Sequence, residues 1–373
     1  MNIGYDAKRL FNNKTGLGSY SRNLIRCMTE YYPSESYHLY TPSVTLPAYA
    51  SEFDQLENVS IYKADTINKA MWRTYGVSKH IRNNKTDIYH GLTHELPRNI
   101  NDINCAKVVT IHDLIFKRFP EYFPAFDRTI YNLKWKHAIN AADKIIAISQ
   151  HTKSDIIEFY DVNPDKIDVI YNICDRRFYN PTEISSDSYQ LDLPANFMLS
   201  VGSIEPRKNF ASVLNAMAQI PDDQRISYVI VGRGKEKHKK KLQNLIHSLG
   251  LEHVVHIKSN ITNDQILEVY QRAEFLVYPS HYEGHGLPIT EALLCGTPVL
   301  SSFTSSMREA GGPDCLYFDP IKIEDIKSAI IKIQDDTALR KSISMKGKEY
   351  ALNISDRRKI TTQTIELYRR LKS

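Results

Sequence analysis

Paired cysteines are the first thing this sequence lacks. Five are scattered through 373 residues (Cys27, Cys105, Cys174, Cys295 and Cys315), an odd number with no Cys-x-x-Cys pair. That pattern argues against a disulfide framework or a zinc knuckle and favours a reducing compartment. Apolar runs are short, such as Phe275-Leu276-Val277-Tyr278, far below the ~18 residues that span a bilayer. The opening Met1-Asn2-Ile3-Gly4-Tyr5-Asp6 has no basic stretch followed by an apolar one, so no secretory signal is visible and a cytoplasmic location is expected. Neither sign of charge dominates: 48 basic against 43 acidic residues leave a formal net charge of +5. So mild a surplus suits anionic ligands or an anionic membrane surface and does not argue for nucleic acid. Internal repeats, low-complexity tracts and an Asp-x-Asp metal motif are absent. No Gly-x-Gly-x-x-Gly follows the first apolar run, which disfavours an NAD-dependent dehydrogenase.

What is present is a rhythm of short apolar runs and helix-length segments, the pattern of parallel sheets covered by helices. Strands are expected over Asn2–Tyr5, Ile88–His90, Lys107–Ile111 and Lys144–Ile148, with helices over Ser19–Tyr31, Arg128–Ala141 and Thr152–Tyr160. The stretch from about Cys174 to Ala195, with Pro181, a Ser185-Ser186-Asp187-Ser188 cluster and Pro194, breaks the rhythm and reads as a linker. A second set follows: strands over Phe197–Val201, Ser227–Val231, Val254–Ile257, Phe275–Pro279 and Pro298–Ser301, and helices over Asn209–Met217, Lys237–Leu249, Asn263–Gln271 and Pro288–Leu294. The tail Arg357–Leu371 has helical periodicity. Two successive α/β domains of doubly wound, Rossmann-like type are expected, facing across a cleft with ligands at strand carboxyl ends.

The string from Tyr278 through Glu291 is the most informative. A strand runs into a loop with Gly284 and Gly286, then a helix with Pro288 at its first position and Gly296 at its end. The glycines admit close backbone approach to a ligand, and N–H groups at the helix start suit phosphate oxygens. Glu283 before the loop and Glu291 in the helix's first turn are acceptors for vicinal sugar hydroxyls; an acid in a first turn also simply complements the helix dipole. A second string, Val201-Gly202-Ser203-Ile204-Glu205-Pro206-Arg207-Lys208-Asn209, places adjacent cations at a strand end, where they would stabilise a departing diphosphate. Taken alone, such a pair is more simply a solvated surface feature. Thr15-Gly16-Leu17-Gly18-Ser19 reads as a short loop opening a helix, able to pass close to a phosphate or to form an ordinary tight turn. His112, in Thr110-Ile111-His112-Asp113, ends a strand and would point into the cleft, or else sits in a capping turn. The aromatic and basic residues after it (Phe116, Lys117, Arg118, Phe119, Tyr122, Phe123, Phe126) suit an acceptor site, lipid headgroups or plain loop packing. Lys235 through Lys241 reads as a solvated helix face.

In this order, Gly16-Leu17-Gly18, His112-Asp113, Ser149, Gly202 through Asn209, Val231-Gly232-Arg233-Gly234 and Glu283 through Glu291 resemble the glycosyl transferases group 1, family 4 of the retaining GT-B enzymes. The opening Asp6-Ala7-Lys8-Arg9 looks like bacterial, mannosyltransferase-like members that build surface polysaccharides. The resemblance implies an acceptor-side domain over residues 1–178, completed by a C-terminal helix at about 355–373, and a donor domain over 190–354. It implies a hexose, mannose included, carried by a GDP- or UDP-linked donor to a glycan or lipid-linked acceptor, with peripheral membrane contact and no metal or other cofactor. Arg207 and Lys208 would hold the diphosphate, Glu291 the ribose and Glu283 the donor sugar. His112 would lie beside that sugar and Gly16 and Gly18 at the diphosphate. Gly202, Ser203, Ser259, Gly284, His285, Gly286 and Leu287 would complete the donor site. Two positions depart from the pattern: His285 stands where Phe is usual, near the donor sugar, and Ser259 where glycine is usual, at the base pocket. Rival readings are a nucleotide-sugar epimerase or phosphorylase on a related scaffold, or a catalytically silent subunit; retention of both Arg207/Lys208 and Glu283/Glu291 counts against the last.

Overall fold

A computed structural model describes residues 1–181, 191–262 and 264–372. The serine-rich 185–188 stretch of the expected linker and Asn263 lie outside them. The chain divides into two units, Met1–Asp175 with Asp356–Ser373, and Arg176–Ser355.

The first unit is built on seven strands: β1 (Asn2–Asp6), β2 (Ser36–Thr41), β3 (Val59–Lys63), β4 (Ile88–Gly91), β5 (Ala106–Ile111), β6 (Lys144–Ala147) and β7 (Ile167–Val169). They lie in the order β3-β2-β1-β4-β5-β6-β7, with every pairing parallel. Burial on both faces explains why the central strands read as continuous apolar runs. One face packs Ile3, Tyr5, Leu39, Ile88 and Val108 against Leu24, Ile25 and Met28 of the helix Gly16–Tyr31. The same cluster takes Ile360, Ile365, Leu367 and Tyr368 from the terminal helix Arg357–Lys372. The other face packs Tyr89, Val109, Ile111 and Ile145 against Trp135, Ala138 and Ile139 of the helix Ala125–Ala141.

In the second unit six strands, β8 (Phe197–Val201), β9 (Ser227–Val231), β10 (Val255–Lys258), β11 (Phe275–Tyr278), β12 (Val299–Ser302) and β13 (Leu316–Phe318), take the order β10-β9-β8-β11-β12-β13. These pairings are parallel too. Nine strands answer to the nine expected, within a residue or so. The four others (β2, β3, β7 and β13) lie toward the sheet edges and are short or rich in polar residues, as in Ser36-Tyr37-His38-Leu39-Tyr40-Thr41, so their apolar signal is weak. The helices Ile323–Asp335 and Thr337–Ile354 also go beyond the expected set. No helix among the described residues is long and apolar enough to cross a membrane.

Candidate active site

In each sheet the strand order reverses once, between β1 and β4 and between β8 and β11. Open parallel sheets take ligands beyond the strand carboxyl ends at such a switch point. In the second unit both informative strings lead out of these two strands: Gly202–Lys208 from β8 and Pro279–Gly286 from β11. Their side chains meet. Lys208 Nζ donates to Glu283 Oε1 at 2.6 Å and to the Tyr278 hydroxyl at 2.8 Å. Arg207 Nη1 lies 2.7 Å from the same Glu283 oxygen and donates to the Tyr282 carbonyl at 2.6 Å. Ser280 Oγ donates to Glu283 Oε1 at 2.7 Å, and Arg207 Nη2 to Glu205 at 2.7 Å.

The backbone of Glu283 is pinned as well: its N–H donates to Ser305 Oγ at 2.9 Å, and Ser306 Oγ donates to its carbonyl at 2.8 Å. Burial alone would push the Glu283 carboxyl up, but the Arg207 and Lys208 cations outweigh it and hold the group down at about 2. The carboxylate is therefore ionised at neutral pH. Burial also pushes the Lys208 ammonium down, with Arg207 adding to the effect and Glu283 opposing it. The cations expected to be solvated when read alone are thus half-buried and buried, at a cost that ionic partners and hydrogen bonds must offset.

Local backbone makes this meeting possible. Arg207 and Lys208 sit in a 3₁₀ turn, Pro206–Lys208, closed by Asn209 at φ +57°. Asn209 is held there by Nδ2 donating to the Pro279 and Pro320 carbonyls at 3.1 and 2.9 Å. A Cβ on Gly232 would stand 1.8 Å from the Gly202 carbonyl oxygen, so the turns after β8 and β9 approach each other as only glycine permits. Gly286, at φ +92°, caps the helix Leu287–Leu294. That start corrects two expectations. Leu287, not Pro288, is the first helical residue, and Glu291 is the fifth, so it lies in the second turn. There its Oε2 accepts the Tyr270 hydroxyl at 2.9 Å. Gly284 and His285 are buried within the turn. Ser203 is exposed and donates to Glu205 at 2.8 Å. Half-buried Ser259 accepts Arg233 Nε at its carbonyl, at 2.9 Å.

In the first unit, Gly16-Leu17-Gly18 is not a loop: it is the first turn of the helix Gly16–Tyr31. A Cβ on Gly18 would stand 1.9 Å from the Asn13 carbonyl oxygen, so glycine serves the tight entry into that helix. Asn13 Oδ1 accepts the Thr15 N–H at 2.8 Å. His112 lies at the end of β5, buried, with its ring Nε2 2.9 Å from the Leu92 carbonyl oxygen. Tyr20 meets its ring edge-on at 4.6 Å between centroids. Burial pushes the imidazole down to about 4, so it is neutral at pH 7. A neutral ring that donates through Nε2 keeps an acceptor lone pair on Nδ1.

The sequence profile described as Glycosyltransferase Family 4 matches residues 15–178, and that described as Glycosyl transferases group 1 matches residues 182–350. The chain belongs to this family of glycosyltransferases. Across 96% of its length and 96% of the other protein's, the glycosyltransferase is 28% identical to O-antigen chain mannosyltransferase B of Escherichia coli. Its fold is similar to that of sucrose-phosphate synthase from Thermosynechococcus elongatus, with a TM-score of 0.80 at 18% identity over 99% and 98% of the two chains. It is similar also to HepE of Anabaena, solved with UDP and glucose, with a TM-score of 0.76 at 20% identity over 98% and 99%. The GT-B class expected from the sequence holds.

Several residues that build this glycosyltransferase's charged cluster carry no signal of their own. Tyr278 reads as an ordinary strand aromatic, and Ser280, Ser305 and Ser306 as loop serines. Their contacts with Lys208 and Glu283 follow from the packing of loops after β8, β11 and β12.

Proposed function

We propose that this glycosyltransferase transfers a hexose, mannose in the first instance, from a GDP- or UDP-linked donor to a glycan or lipid-linked acceptor in surface-polysaccharide synthesis. The observation that carries the reading is the Arg207–Lys208–Glu283 cluster at the β8/β11 switch point, in a chain similar from end to end to a mannosyltransferase. A half-buried and a buried cation held by fixed partners stabilise a leaving diphosphate without reorganising as it departs. Transfer proceeds with retention, the diphosphate oxygen accepting the acceptor's proton on the face it leaves. Arg207 and Lys208 supply the positive charge that a metal supplies in other transferases. Glu283 contacts the donor sugar, Glu291 the ribose, and neutral His112 accepts a sugar hydroxyl at Nδ1.

The test is thermal stability against a panel of nucleoside diphosphates and their sugars, with and without chelator. A ligand bound by the native state alone stabilises it by about 2.7 kcal/mol at a hundredfold excess over its Kd, and so raises the melting temperature. GDP or UDP is expected to do so in either condition, and Arg207→Ala with Lys208→Ala to abolish the shift. Silence across the whole panel would overturn the donor-site reading. Activity lost to chelator and restored by one divalent ion would overturn the metal-independent part. Anomeric configuration of the product, read by NMR, decides retention.

A further inference from the structure

Glu291 is held by a neighbouring element of this glycosyltransferase's second unit. The helix Gln265–Arg272 precedes β11, and the helix Leu287–Leu294 follows the loop that leaves it. Tyr270, near the end of the first helix, is tied to the second at two points. Its hydroxyl donates to Glu291 Oε2 at 2.9 Å. Its carbonyl accepts the Thr297 hydroxyl at 2.7 Å, just beyond the end of the helix that carries Glu291. The Phe178 ring meets the Tyr270 ring edge-on, at 5.9 Å between centroids and 79° between planes. Tyr270 is fully buried. Burial, with the Glu291 charge added to it, pushes the phenol well above its ordinary value. The hydroxyl therefore keeps its proton at neutral pH and is a fixed donor.

Glu291 itself is half-buried. Glutamate is among the side chains that lose most rotamer freedom when fixed. The bond to Tyr270 takes part of that loss during folding, so less remains to be lost when a ligand binds. A carboxylate accepts at about four lone-pair positions, so it can hold the Tyr270 hydroxyl and a vicinal diol at once. A buried tyrosine hydroxyl usually finds some partner. What singles out this one is that its acceptor lies on the helix after the switch-point loop Pro279–Gly286, and that the backbone of the same tyrosine is anchored beyond the end of that helix.

Resting on the donor-site reading, in which Glu291 accepts the ribose hydroxyls, we propose that Tyr270 is a positioning residue for nucleotide recognition. It orients the Glu291 carboxylate toward the ribose diol and so makes the site prefer a ribonucleoside diphosphate to its deoxy counterpart. It acts through Glu291 and needs no contact with the nucleotide.

The test titrates full-length protein, by calorimetry, with GDP and UDP and with their 2′,3′-dideoxy counterparts. Wild type is expected to bind the ribo form of one of them about tenfold or more tightly than the dideoxy form, the size of a hydrogen bond to a charged group. Tyr270→Phe keeps the buried ring and removes only the donor. In it the gap should shrink to about threefold or less, through weaker binding of the ribo form alone. Comparing two ligands within one variant cancels any change in its stability. Glu291→Gln should close the gap to the same extent. The double variant should bind no more weakly than Glu291→Gln alone, because residues that act through one contact are not additive. A hydroxyl that serves folding alone would lower the melting temperature of Tyr270→Phe and leave the gap at its wild-type size, and that result overturns the proposal. So would losses that multiply in the double variant. Equal binding of ribo and dideoxy forms by wild type would overturn it by removing the ribose contact itself. Binding of neither GDP nor UDP to wild type is a separate signature: it overturns the donor-site reading, and the positioning role falls with it.

Discussion

Glu283 shows how far a single side chain's chemistry is set by its neighbours. A glutamate in a loop would titrate near the usual carboxylate range. Here burial raises it, and Arg207 and Lys208 pull it down further than burial lifts it, to about 2. A folded-state value below the unfolded one contributes stability that is present above about pH 4.5 and lost as pH falls toward 2. Replacing Glu283 by Gln removes the counter-charge from buried Lys208 and half-buried Arg207. The variant is expected to lose up to ~3 kcal/mol at pH 7, within the range for breaking a buried ion pair, and about a hundredfold or more in kcat. Its deficit in melting temperature against wild type should narrow as pH drops through that window. A constant gap would show that Glu283 is not ionised in the folded protein.

Elements, not residues, decide what the terminal helix does. Arg357–Lys372 is separated in sequence from the first unit by the whole second unit, yet its apolar stripe completes the first unit's core. A buried chain of hydrogen bonds fixes its register. Tyr368 OH meets His90 Nδ1 at 2.6 Å, His90 Nε2 meets Thr110 Oγ1 at 2.8 Å, and Thr110 Oγ1 meets Tyr20 OH at 2.9 Å. Deleting one hydroxyl leaves a buried partner unsatisfied, at about 1–3 kcal/mol. Tyr368→Phe is therefore expected to lower the unfolding free energy by that amount, read as a lower urea midpoint with little change in the slope. Periodicity made this helix legible in the sequence, but nothing in the periodicity names the surface it covers.

At the scale of the whole molecule, pH acts through histidines. His90 is pushed down to about 3 and His112 to about 4, both first by burial, and His94, stacked at 4.1 Å on Trp135, falls well below its ordinary value. Each of these binds a proton more readily when unfolded. Their contribution to stability is complete above about pH 6.5 and is lost as pH falls through 6.5 toward 4. Melting temperature should drop across that interval. A flat profile from pH 7 to 5 would contradict the burial of these rings.

Much of the architecture was legible without coordinates, for a physical reason. Central parallel strands are buried on both faces and must be apolar, so β1, β4, β5, β6 and the core of the second sheet announce themselves. Glycines that admit a close approach, and the Arg207-Lys208 and Glu283/Glu291 pairs, are local in sequence and visible as strings. The edge strand β3 and its neighbour β2 carry a mixed pattern and stayed hidden. So did the helix frame at Leu287, which moved Glu291 into the second turn, and the helical state of Gly16-Leu17-Gly18. Only the tertiary structure decided which charges meet. Arg207 and Lys208 read alone as solvated, and Glu283 lies far from both in sequence. Chain topology brings them to one switch point, and contact at 3 Å depends on loop packing that no local pattern encodes.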